Sequence, residues 1–223
     1  MSTGFAVLML LLTAAVFYFR WRQACAVAVL TAADPPPAQP QPCSPPAEAG
    51  ELDLPSGYRF HLGHTWMAEQ GREMAHVGLD SFAARLLGKV ERITVIGEQR
   101  WVRQGQKLMT VSGNGETVDL LSPLEGVVTA INPEVIRNPQ LAFEDPYNAG
   151  WICAIKSPEM ETNRRNLVQS ALAANWMHDS MQRLKTMLAD PALAQDGGMP
   201  QSGLLSRLGT EMRRRVVSEF FLT

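Results

Sequence analysis

Lys107-Leu108-Met109-Thr110-Val111-Ser112-Gly113-Asn114-Gly115-Glu116-Thr117-Val118-Asp119-Leu120-Leu121 is the stretch that decides the fold. Residues 107–111 and 118–121 are short runs rich in apolar and β-branched side chains, which suit half-buried strands. Between them stands Asn114-Gly115. Both central positions of a type I′ turn need φ > 0, which these residue types tolerate, so the dipeptide predicts a hairpin tip. Working outward, residues 74–78, 90–95, 126–131 and 150–155 read as further strands between glycine turns. One helix interrupts them over 80–87, with Asp80 as its cap and Gly88 just past its end. The pattern predicts a mainly β sandwich or barrel over residues 57–157.

Composition bounds what else the chain holds. Its 223 residues are 46% hydrophobic and 19% charged, enough for one substantial core with appendages. A formal charge of −2 with scattered basic residues gives no general attraction to nucleic acid. Cys25, Cys43 and Cys153 form no Cys-x-x-Cys pair, so neither a disulfide framework nor a zinc site is signalled and a reducing compartment is expected.

The first 22 residues read as a transmembrane anchor. No charge occurs from Ser2 to Phe19, close to the roughly 20 residues that span a hydrocarbon core. Arg20 and Arg22 then flank Trp21, and the positive-inside bias places this end, and the globular part, on the cytoplasmic side of the inner membrane. The competing reading is a secretory signal cleaved after Ala33. Residues 23–56 form a juxtamembrane and Pro-rich linker, with Pro35-Pro36-Pro37, Pro40, Pro42, Pro45 and Pro46 favouring an extended spacer.

Several motifs together resemble the H proteins of the glycine cleavage system. His64-Thr65-Trp66 is similar to their His-Glu-Trp, and Val77-Gly78-Leu79-Asp80-Ser81-Phe82-Ala83 through Leu87-Gly88 to their Val-Gly-Ile-Thr-Asp-Tyr-Ala…Leu-Gly. Ser122-Pro123-Leu124-Glu125-Gly126 with Val128 and Asn132 resembles Ser-Pro-x-x-Gly-x-Val…Asn. Asn138-Pro139, Glu144-Asp145-Pro146-Tyr147 and Gly150-Trp151-Ile152 resemble Asn-Glu-Asp-Pro-Tyr-Gly-x-Gly-Trp-Leu. Order and spacing hold over roughly 100 residues. The resemblance implies the barrel-sandwich hybrid of lipoyl-type domains, with a C-terminal helix packed on the sheets.

In that family one lysine near the hairpin tip carries lipoate, a swinging arm that moves an aminomethyl group and electrons between enzymes. Counting without a gap from Val111 to Ser122 puts Gly115 at that position. The four lysines are Lys89, Lys107, Lys156 and Lys185, and none falls within the tip. No cofactor is therefore expected. His61-x-x-His64 lacks a third metal ligand, and an extended backbone would point the two rings apart. Glu144-Asp145, beside Pro146, suits a turn better than acid–base work. No nucleophile–base pattern or phosphate loop occurs, so the chain is not expected to be an enzyme.

Residues 158–223 read as a helical extension. Leu167, Ala171, Leu172, Trp176, Met177, Met181, Leu184 and Leu188 mark one amphipathic helix over 159–187. Asp190-Pro191 and Gly197-Gly198-Met199-Pro200 end it. A last helix places Leu204, Leu208, Met212, Val216 and Phe220 on one stripe beside Arg213, Arg214 and Arg215. That stripe is expected to make the principal contact with a partner protein or the inner leaflet, the alternative being that it docks on its own domain.

The function expected is a membrane-tethered, non-catalytic docking module with protein partners. The alternative is a carrier or accessory subunit of a membrane redox or one-carbon complex. Deleting residues 1–34 is expected to leave a soluble domain with its sheet signal in circular dichroism, because anchor and sandwich have separate apolar faces. Loss of that signal would show that they fold as one.

Overall fold

The computed structural model describes residues 54–113, 115–188 and 200–223. The expected anchor, the Pro-rich linker, Cys25, Cys43, Asn114 and the break at 190–199 lie outside the described residues. No described helix is long and apolar enough to cross a membrane.

Ten strands build the body: β1 Tyr58–Phe60, β2 Thr65–Glu69, β3 Met74–Leu79, β4 Arg92–Val95, β5 Trp101–Val102, β6 Lys107–Gly113, β7 Glu116–Leu121, β8 Gly126–Ile131, β9 Cys153–Lys156 and β10 Val168–Gln169. The larger sheet has the order β10-β1-β2-β3-β9-β8-β5 and the smaller one β4-β6-β7. Every pairing is antiparallel. Alternation places Ala75, Val77 and Leu79 of β3 in the same core as Val118 and Leu120 of β7. The mainly β architecture read from the hairpin pattern is thus observed.

Local chemistry explains the first motifs. Gly78 lies opposite Trp66 in the β2–β3 ladder, where a Cβ would sit 2.4 Å from the indole. The glycine leaves room for a buried ring, whose Nε1 donates to the Leu79 carbonyl at 2.8 Å. Helix α1, Ser81–Leu87, starts where the Asp80 side chain accepts from the Ala83 amide and ends at Gly88, φ 76°. Its expected cap and stop are both present.

Helices α2 Pro133–Arg137, α3 Leu141–Glu144, α4 Met160–Arg164, α5 Ser170–Met187, α6 Leu204–Arg207 and α7 Thr210–Phe221 complete the described elements. Here four expectations change. The strand expected over 150–155 begins only at Cys153, because Gly150 closes a turn by donating to the Asp145 carbonyl. The helix expected over 159–187 is two helices with β10 between them. The Asn163 side chain binds the Glu159 carbonyl and the Glu125 amide, and Val168 and Gln169 pair with Phe60 and Arg59. The last helix is broken where Leu208 is extended and Gly209 starts α7.

The fourth correction concerns the stripe. Leu204, Leu208, Val216 and Phe220 are buried within this domain, as is Phe221, and Met212 packs against the same core. The stripe docks on its own domain rather than offering an apolar contact surface. Arg213 reaches Glu116, Arg214 pairs with Glu211 at 3.0 Å, and Arg214 and Arg215 are exposed.

Phe220 is 1% exposed, so Phe220→Ala should lower stability by about 3–5 kcal/mol in urea unfolding. A loss below about 1 kcal/mol would show that α7 contributes little to the fold.

Candidate functional site

The hairpin β6–β7 is the candidate working end. Gly113 pairs with Glu116, leaving a two-residue connection between the strands. Gly115 has φ 77°, and a Cβ added there would meet nothing within 4 Å. The left-handed backbone therefore favours glycine, while the space around it is open. An amide-linked prosthetic group needs an amine, and Asn114-Gly115 supplies none.

Lys107 does not fill that role. It pairs across β7 with Leu121 at the base of the hairpin, six strand residues or roughly 20 Å from the tip. Its Nζ is held by Asp119 Oδ1 at 2.7 Å, and Thr110 Oγ1 donates to the same oxygen at 2.7 Å. Partial burial opposes charge on Asp119, yet the bonds from Lys107 and Thr110 and the nearby Lys107 charge outweigh it and lower the carboxyl's pKa.

A lysine from elsewhere in the sequence does lie beside the hairpin. Exposed Lys89 follows α1, and its carbonyl lies so near Gly113 that a Cβ there would be 2.3 Å from it. Lys89 also lines a cavity of about 40 Å³ with Gly113, Glu116 and Arg213. Linear reading missed this neighbour because 24 residues separate Lys89 from Gly113. The one available signal was the short Gly88 stop that turns the chain toward β4. Arg213, expected at a partner surface, is likewise brought to the base of the tip.

The remaining candidates are structural. The His61-x-x-His64 segment is a tight turn, with His64 at φ 59° and wholly buried. Its Nδ1 lies 2.7 Å from Asp80 Oδ2, while His61 Nδ1 accepts the Gly63 amide. Among the described residues no group of three His, Cys, Asp or Glu is placed to hold a metal ion. Asp145 accepts from the Asn148 side chain and the Ala149 amide, the turn role expected of it. Cys153 is buried, and that burial pushes its thiol up to about 12, which removes it as a nucleophile at neutral pH.

Comparison with known proteins places this geometry. The family model of the glycine cleavage H-protein matches residues 58–180. The glycine cleavage system H protein of Mycobacterium avium (strain 104) is 30% identical over 104 residues, 47% of this chain and 79% of that protein. That of Magnetococcus marinus is 29% identical over 126 residues, 56% of this chain and 89% of that protein. The crystal structure of the H protein from Mycobacterium marinum aligns with a TM-score of 0.49 at 21% identity, covering 55% of this chain and 98% of that one. Helices α6 and α7 lie beyond the matched residues.

Because the pKa of Asp119 is lowered on folding from 3.8, its contribution is present above the unfolded value and lost as pH falls through the folded one. Asp119→Asn should therefore cost stability at pH 7, at most about 1 kcal/mol for a partly exposed pair, and the gap should close below about pH 4. Melting temperatures at pH 7 and pH 3 check this; an equal gap at both would remove the Lys107–Asp119 bond from the account.

Proposed function

The chain belongs to the glycine cleavage H-protein family, and we propose that it is a member without a lipoyl arm, serving as a non-catalytic docking module. The observation that carries the reading is Gly115, in a hairpin whose tip holds no lysine. The fold still offers a rigid surface to protein partners, and function resides in such a site rather than in the fold alone. Residues 1–22, uncharged from Ser2 to Phe19 and ending in Arg20-Trp21-Arg22, support a tether in the inner membrane with the domain on the cytoplasmic side.

A second reading follows from Lys89. Its backbone stands beside the hairpin and its side chain is exposed although its sequence position is remote, so a carrier whose group has moved to Lys89 is the specific alternative.

Intact mass of the natively expressed protein, followed by peptide mapping, separates the two. The docking reading predicts no lipoyl or octanoyl adduct, whereas an adduct on Lys89 would replace it with the carrier reading. Gly115→Lys tests the register independently. A lysine at φ 77° costs about 1–2 kcal/mol, which a folded domain tolerates, so a lipoate ligase should modify this variant and not the parent. A folded Gly115→Lys protein that stays unmodified would count against the assigned position.

A further inference from the structure

The family match ends at residue 180, yet α7 reaches back to β7 of the hairpin and α6 packs on α1. Arg213 of α7 makes the link. Its Nη1 bonds Glu116, the first residue of β7, while Nε and Nη2 donate to the carbonyls of Leu205 and Leu208 at 2.9 and 2.8 Å. Those carbonyls close the end of α6, so one guanidinium joins α6, α7 and the hairpin.

A second contact fixes the other end of α6. The Gly203 amide donates to the Arg85 carbonyl at 2.8 Å. Gly88, φ 76°, meets Gly203 so closely that a Cβ on Gly88 would lie 2.4 Å from Gly203 Cα. Leu205 and Val217 then cover Leu87, Val90, Val111 and Val118, leaving a cleft of only about 40 Å³. That volume admits no more than a few waters.

We propose that α6 and the first turns of α7 form a strap that pins the β6–β7 hairpin and closes an apolar cleft on its flank. The strap regulates access to the working end, a role that rests on the hairpin being that end. With the strap seated, the flank beside Gly113 and Glu116 is closed and the hairpin is held at that side. Release of Arg213 from Glu116 loosens the strap beside the hairpin and widens the cleft, while Leu204, Phe220 and Phe221, 0%, 1% and 0% exposed, keep its ends anchored.

Hydrogen exchange of the full chain tests the strap without reference to lipoylation. Arg213→Glu and Glu116→Arg should each raise exchange of amides 107–121 about 10-fold, with β2, β3 and β9 unchanged, and the double charge swap should restore part of the protection, because it re-forms the ion pair but not the bonds to the Leu205 and Leu208 carbonyls. Gly88→Ala, which pushes Gly203 away without altering charge, should reproduce the local loosening. Unchanged hairpin exchange in folded single variants, equal acceleration across β2, β3 and β9, or no restoration in the swap would each overturn the strap.

Discussion

One buried contact ties the molecule together, the 2.7 Å bond between His64 Nδ1 and Asp80 Oδ2. The other Asp80 oxygen accepts the Ala83 amide and starts α1, so a single carboxyl group orients a turn and a helix. The His64 ring stacks on Phe82 and Trp176 at centroid distances of 4.3 and 4.7 Å and lies 6.0 Å from Phe220. The β1–β2 turn, α1, α5 and α7 all meet at this imidazole. Removing either partner would leave a wholly buried polar group unpaired, which costs more than the bond itself contributes. Among the described residues His64 Nε2 has no partner; there Asp80 supplies all of the ring's side-chain polar anchoring.

Local signals were legible wherever one residue type answered one backbone demand. Asp80 and Gly88 marked both ends of α1, and Asn114-Gly115 marked a connection whose described residue has φ > 0. Long-range pairing was not legible. The 3.6-residue spacing across 159–187 continues smoothly past Val168-Gln169, but the open edge of β1 captures that pair as β10. The stripe from Leu204 to Phe220 shows the same limit. An apolar helix face states that it will be covered without naming the cover, and the sandwich itself provides it.

The site divides along the same line. Gly115 was readable from its register against Ser122-Pro123, because motif spacing survives in linear sequence. Lys89 and Arg213 were not, since their approach depends on how α1 and α7 pack. The hairpin keeps its paired strands and its Lys107–Asp119–Thr110 brace while the tip offers no amine. A braced hairpin whose tip offers no amine supports the proposal of a surface that binds partners rather than one that transfers a group.

The central claim is that this family member works without an arm of its own. A glycine cleavage system assembled without its H protein, with the full-length chain supplied in its place, tests that claim most directly. The account predicts no glycine consumption above the control lacking H protein, and full consumption once a lipoylated H protein is added to the same mixture. Sustained glycine consumption with this chain alone would contradict it.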